Sequence, residues 1–183
     1  MATVGVPVGW SAYSAMRFPS PQTPEGAYLR IVIALNKGKE RDVFSYLEAE
    51  AQAAICTIHE YRAKSLVIIR ASFQEPERSE WVETYREEGD ADGPAGLWTH
   101  LATRLGWTTR LRTDLSGIAE IERVGPRATV VTSRGTRYPF REAASGLWGL
   151  SLFTAELMAR KERAPHDFVL VEKAAADYER ARR

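Results

Sequence analysis

Residues 141–162 read REAASGLWGLSLFTAELMARKE, and the way this stretch folds decides the architecture. Apolar or small side chains fill nearly every position from Ala143 to Met158; only Thr154 and Glu156 interrupt them with real polarity. A helix that is apolar on almost every side belongs inside a fold. The run is too short to cross a bilayer, and Glu156 opposes that reading as well. The pattern therefore predicts one buried helix over 141–162, ending where Ala159 to Arg163 turns polar and Pro165 follows. Gly146 and Gly149 each weaken a helix by about 1 kcal/mol relative to Ala. Close approach of a neighbouring element would justify them, as would room for a ligand or a second protomer. Trp148 and Phe153 supply the bulk of the expected buried area on this segment.

Working outward, residues 1–27 carry four prolines and three glycines with no periodicity, which predicts an extended arm. Trp10 and Tyr13 make it too apolar for a free tail, so it is expected to strap across its own domain or across a neighbour. Tyr28 to Leu35, YLRIVIAL, reads as an interior strand. Glu40 to about Arg62 reads as an amphipathic helix, and Ser65 to Phe73, SLVIIRASF, as a second strand. Strand, helix, strand is a βαβ unit. A short acidic helix is expected within 74–93, with Ser79 as its cap and Trp81 facing Tyr85. Asp92-Gly93-Pro94 should start another helix, with Leu97, Trp98, Leu101 and Leu105 as its buried stripe and Gly106 closing it.

From Trp107 to Phe140 the chain reads as antiparallel β, with turns at Gly125-Pro126 and Arg134-Gly135. Pro139 lacks an amide hydrogen, which predicts an edge strand or strand end there. Asp167 to Glu172 suggests a last strand, and 173–183 a charged tail of helical propensity. The expected fold is thus α+β (mixed α/β): a βαβ N-terminal unit plus antiparallel hairpins packed around a buried helix 141–162. The expected organisation is an arm (1–27), one globular domain (28–172) and the tail (173–183).

Charge is separated along the chain. Glu75 to Asp92 holds eight acids against two bases, and Arg104 to Arg141 holds eight bases against three acids. The overall balance is only +1. This supports either two solvated faces of one fold or a docking surface. Twenty arginines against five lysines reflect GC-rich coding as much as nucleic-acid chemistry. Lys37-Gly38-Lys39 lacks the spacing of a phosphate loop. The single cysteine, Cys56, sits among apolar neighbours like a small core residue, and it excludes an internal disulfide and a cysteine-rich metal site. No secretory leader is legible, which favours the cytoplasm.

No nucleophile, base and acid set can be assembled from His59, His100, His166, Glu142 and Tyr138. The reading is a non-catalytic, cytoplasmic module of bacterial type for protein assembly or small-ligand binding, self-associating or bound to another protein. It needs no cofactor, metal or membrane. The alternatives are nucleic-acid binding through a basic hairpin at 107–140 and a small enzyme of unknown reaction. The ligand or interface candidates are Gly146, Trp148, Gly149 and Phe153, then Tyr138, Arg137, Arg134, Arg110 and Arg112, and in the arm Trp10 and Tyr13.

Overall fold

Thr23 opens the first helix. Its side chain accepts a hydrogen bond from the Gly26 amide at 3.1 Å, Pro24 stands in the first turn, and Glu25 faces the amide end. The computed structural model, which describes residues 19–181, has helix α1 over Pro24–Asn36. The strand expected at 28–35 is therefore helical, and residues 24–27 of the expected arm belong to the same helix. Its buried residues Ala27, Tyr28, Ile31, Ala34 and Leu35 recur at steps of three and four. The β-branched run Ile31-Val32-Ile33 imitates a buried strand, but the cap and the burial spacing override that weak preference.

A 3-10 helix, Glu40–Tyr46, precedes α2, Ala49–Ser72. The expected helix at 40–62 is broken at Leu47 and Glu48. The strand expected at 65–73 is the end of α2 and its capping residue: Leu66 and Ile69 are buried at helical spacing, and Phe73, just past the helix, is buried beside them. No βαβ unit forms. Then follow α3 (Glu77–Gly89), α4 (Gly93–Arg104) and α5 (Trp107–Asp114). The expected Trp81–Tyr85 contact is present, with ring centroids 5.8 Å apart. In α4, Leu97, Trp98 and Leu101 of the expected stripe are buried, Leu105 follows the helix half-buried, and Gly106 ends the segment in the left-handed conformation. Residues 107–114 are helical and not β as expected. Ser79 does not stand at the cap position of α3, which Pro76 holds; its hydroxyl donates to Glu75 instead.

The sheet is antiparallel and in chain order: β1 (Ile118–Val124), β2 (Arg127–Thr132), β3 (Arg137–Glu142) and β4 (Trp148–Leu150). Its turns fall at Gly125-Pro126 and Arg134-Gly135 as the sequence suggests. Pro139 lies within β3, an inner strand, and so at neither the edge nor the strand end expected. It stands opposite Thr129, and its carbonyl accepts the Ser151 amide at 2.9 Å.

The predicted helix over 141–162 is replaced by the end of β3, a turn, β4 and only then helix α6, Thr154–Ala181. Two glycines explain the difference. Gly146 has φ +77°, a conformation no helix interior contains. Gly149 lies where β4 meets Leu47 and Glu48: a Cβ there would stand 2.5 Å from the Glu48 Cα. The Glu48 amide donates to the Leu150 carbonyl at 3.1 Å, so β4 ties the break before α2 to the sheet. Helix α6 absorbs the strand expected at 167–172 and residues 173–181 of the expected tail.

Buried apolar side chains form two clusters. The larger joins α1, the start of α2, α4, α5, the inner face of the sheet and the start of α6. Here Phe153 stacks on Trp107 at 4.6 Å and meets Trp98 at 5.8 Å. The smaller joins the second half of α2 to α3 and the second half of α6, around Leu66, Ile69, Phe73, Tyr85, Val171 and Ala175. Tyr61 meets Phe168 and Phe73 meets Tyr178, so α2 and α6 run in the same direction along both clusters. The fold class is α+β. Among the described residues no helix is long and apolar enough to cross a membrane.

Candidate functional site

Where the two clusters meet, four helices turn charged side chains toward one another. Helix α2 contributes Ile58 and Arg62, one turn apart. Helix α3 contributes Trp81, Thr84, Tyr85 and Glu88, all on one face. Helix α4 contributes Leu101 and Arg104 from its last turn, and α6 contributes Arg160, Arg163, Asp167 and Leu170 at steps of three and four. Together they line a cleft with two chambers. The outer, of about 430 Å³, is walled by Trp81, Thr84, Tyr85, Arg104 and Leu170. The inner, of about 250 Å³, has Ile58 and Leu101 as its apolar floor and Arg163 on its wall. Arg62, Glu88, Arg160 and Asp167 border both chambers.

Arg62 is the hub. Its Nε donates to Glu88 Oε2 at 3.0 Å and its Nη2 to Asp167 Oδ2 at 2.7 Å, while the guanidinium lies over the Tyr85 ring, 4.9 Å from the centroid. Arg104 donates to the other Glu88 oxygen. Glu88 is buried and engaged at both oxygens. Gly89 makes this possible: a Cβ there would press within 2.9 Å of the Arg62 carbonyl, so only a bare Cα lets α3 come this close to α2. Burial opposes the charge on Arg62, but Glu88, Tyr85 and Asp167 outweigh it and raise its pKa above the ordinary value. Burial also raises the Tyr85 phenol.

The remaining cations are less well matched. Arg160 keeps a single long contact to Glu156 at 3.4 Å, and its Nε is buried without a hydrogen-bond partner. Arg163 has no ion pair among the described residues. Four guanidiniums thus border a space whose two acids, Glu88 and Asp167, are already held by Arg62 and Arg104. Surplus guanidinium charge on the lining of a cleft attracts an anion.

Among the described residues, none of the ligand or interface candidates named from the sequence lies in this cleft. Trp148, Gly149, Phe153 and Tyr138 are core or close-packed, and Gly146 is in the turn before β4. The Arg123 guanidinium covers the Trp148 ring at 4.8 Å. The basic residues are dispersed and mostly engaged. Arg112 pairs with Glu40 and Arg137 with Glu122, and Arg134 donates to the Thr113 carbonyl at 2.6 Å. Arg110 and Arg112 lie on α5 and not on a hairpin. Trp10 and Tyr13 lie outside the described residues.

Cys56 is exposed, which corrects its reading as a core residue. His59 bonds the Ala91 carbonyl at 3.0 Å, while His100 and His166 face solvent. Lys37 and Lys39 stand at the carbonyl end of α1, where an anion is disfavoured. Among the described residues no group of three or more His, Cys, Asp or Glu is arranged to hold a metal.

The spacing Arg160, Arg163, Asp167, Leu170 was available in the sequence as one helix face. It is hidden when 167–172 is read as a strand. Compared with known proteins, the chain matches no family model, no curated protein and no solved structure.

Proposed function

We propose that the protein is a non-catalytic ligand-binding module that holds a small anion in the cleft between α2, α3, α4 and α6. One observation carries this reading: four guanidiniums, those of Arg62, Arg104, Arg160 and Arg163, border a cleft whose two acids are already held by Arg62 and Arg104. Ion pairs hold Glu88 and Asp167 to Arg62, and among the described residues no serine, cysteine, lysine or histidine lines the space. Titration calorimetry with acetate and with inorganic phosphate tests it. Single-site binding that weakens as chloride rises and is lost in Arg160→Met is the expected result. No heat from either anion in the millimolar range would sink the proposal.

Self-association is a second reading, and its support is the free edge of β1. Val124 is 80 % exposed there and Ile121 is 38 % exposed. The same edge carries Glu120, Glu122 and Arg123 and a register shift between Ile118 and Glu120, features that blunt edge-to-edge pairing. The ligand reading therefore ranks first. A cytoplasmic location belongs to the same proposal. Sedimentation separates the two: the ligand reading needs only a monomer, whereas assembly needs a dimer that Val124→Lys weakens.

A further inference from the structure

We infer that the free edge of β1 is a docking strand for an extended basic segment of another protein, one in which lysine or arginine alternates with an apolar residue and which pairs antiparallel to β1. This goes beyond the anion reading and does not depend on the cleft. Of the sheet's two edges, only this one is open among the described residues. The edge of β4 is closed by main chain: the Trp148 amide donates to the Pro21 carbonyl at 3.2 Å, and the Leu150 carbonyl accepts the Glu48 amide at 3.1 Å.

The strand register fixes which groups of β1 are left over. The Thr132 amide donates to the Thr136 carbonyl, so Thr132 and Val130 turn their main-chain groups to β3, while Val131 and Thr129 turn theirs to β1. Glu120 and Glu122 stand opposite Val131 and Thr129 and form the hydrogen-bonded pairs with them. Ile121 and Arg123 alternate with these two and point their amides and carbonyls outward. A strand added here therefore lies beside Glu120 and Glu122 on one face of the sheet and beside Ile121 on the other. Glu120 is exposed and has no ion pair among the described residues; Glu122 pairs only with Arg137. Ile121 is 38 % exposed.

The same register turns away a second copy of this chain. With Ile121 of each copy opposite the other, Glu120 meets Glu122. With Ile121 opposite Arg123, Glu122 meets Glu122. With Arg123 opposite Arg123, two guanidiniums meet. Every two-fold pairing through these outward groups thus sets like charges across from each other, which is destabilising. A segment with a basic residue across from each glutamate replaces the repulsion by attraction, and the apolar residue between them covers Ile121.

The test uses blocked peptides on the full chain, followed by proton–nitrogen spectra and amide exchange: Thr-Lys-Val-Lys-Val-Lys-Thr, its counterpart with glutamate for lysine, and the lysine peptide N-methylated at both valines. The valines face Ile121 and bring their amides to β1, so methylation removes the strand bonds and keeps the charge. The lysine peptide is expected to shift the Ile121 and Arg123 amides and protect them from exchange, and the other two peptides are not. Glu120→Lys, at an exposed position without an ion pair, leaves the fold intact and should weaken the lysine peptide about tenfold, because an attraction becomes a repulsion. Equal binding of the lysine and glutamate peptides overturns the basic partner. Undiminished binding of the N-methylated peptide reduces the effect to charge attraction and overturns the docking strand. Protection of Ile121 and Arg123 that grows with protein concentration in the absence of peptide makes a second copy the occupant and overturns it too, as does no binding of the lysine peptide in the millimolar range.

Discussion

Replacing Gly149 by alanine, with Gly146→Ala as its companion, tests whether 141–153 is a turn and closing strand or a helix. At Gly149 the added Cβ would lie 2.5 Å from the Glu48 Cα, the Glu48 nitrogen and the Leu47 oxygen, all of them main chain. No side chain can swing aside, so β4 must move away from the segment before α2. That movement stretches the bond from the Glu48 amide to the Leu150 carbonyl, now 3.1 Å. It also loosens the contact between Arg141 and Glu48 at 3.4 Å. Overpacking costs about 1–3 kcal/mol and the lost hydrogen bond about 1 more, for a total of roughly 2–4 kcal/mol. At Gly146 nothing stands within 4 Å of a new Cβ, so only the strain of φ +77° applies, about 1 kcal/mol. In a helix both substitutions would instead stabilise, by about 1 kcal/mol each. Urea unfolding followed by circular dichroism gives the order directly: Gly149→Ala well below Gly146→Ala, and both below the parent. In a thermal scan the losses correspond to roughly 5–15 °C and about 2–4 °C. If either variant equals or exceeds the parent, the account of this segment is wrong.

Two neighbouring tyrosines should respond with opposite sign. Tyr28 and Tyr138 lie 5.4 Å apart, but the Tyr28 hydroxyl donates to the Ser116 carbonyl at 2.7 Å whereas the buried Tyr138 hydroxyl has no partner. Tyr28→Phe should therefore lose about 1 kcal/mol in urea unfolding, and Tyr138→Phe should lose nothing or gain about 1 kcal/mol. Burial raises the pKa of Tyr28, Tyr85 and Tyr138. Folded values above the unfolded one mean full stability below about pH 10 and a loss as pH rises through the folded values; uniform titration of all seven tyrosines near the ordinary value, read by absorbance near 295 nm, would contradict this. Glu88→Gln should lower stability by about 2 kcal/mol, less than for a sealed pair because Asp167 still holds Arg62 and Arg104 reaches water. The same variant should tighten anion binding by removing a negative charge from the wall, and weaker binding would count against the cleft.

How much of this was legible in the sequence depended on whether one signal or two competed at each segment. In α4 the start, the stripe and the closing glycine agreed, so the helix and its buried residues could be read directly. The β1–β2–β3 meander was equally plain from its alternation and its two glycine turns. In α1 the β-branched run argued for a strand while Thr23-Pro24 argued for a helix start, and the cap was the better guide. The end of α2 misled in the same way. The stretch 143–153 failed for a different reason. Its apolar and small residues fit a buried helix as well as a buried strand, and only the close approach of Glu48, a tertiary fact, fixes Gly149. The cleft was out of reach because its residues come from four helices, some 105 positions apart in the Arg62 and Asp167 pair. The aromatic and glycine-rich segment drew attention in the sequence, yet its side chains are spent on packing.

Arg160 separates a structural ion network from a binding site. A network that only fastens the two clusters together would be complete with Arg62, Glu88 and Asp167, and an apolar substitute of similar volume often serves such a purpose as well. Arg160 adds nothing to that fastening: its one ion contact is a long one within its own helix, and its Nε is buried without a partner. An unpaired buried donor lowers stability by about 1–3 kcal/mol. The side chain is 31 % exposed and its guanidinium borders the cleft, so an anion there supplies the charge partner that Glu156 offers only at 3.4 Å. Arg160→Met keeps the length and the packing and deletes the orphan donor. It should unfold at higher urea than the parent when no anion is added, by about 1 kcal/mol, and it should lose the stabilisation that acetate or inorganic phosphate gives the parent. If instead it is less stable than the parent by that amount, Arg160 is part of the fastening, and the cleft has no more claim to a ligand than any other junction of charged helices.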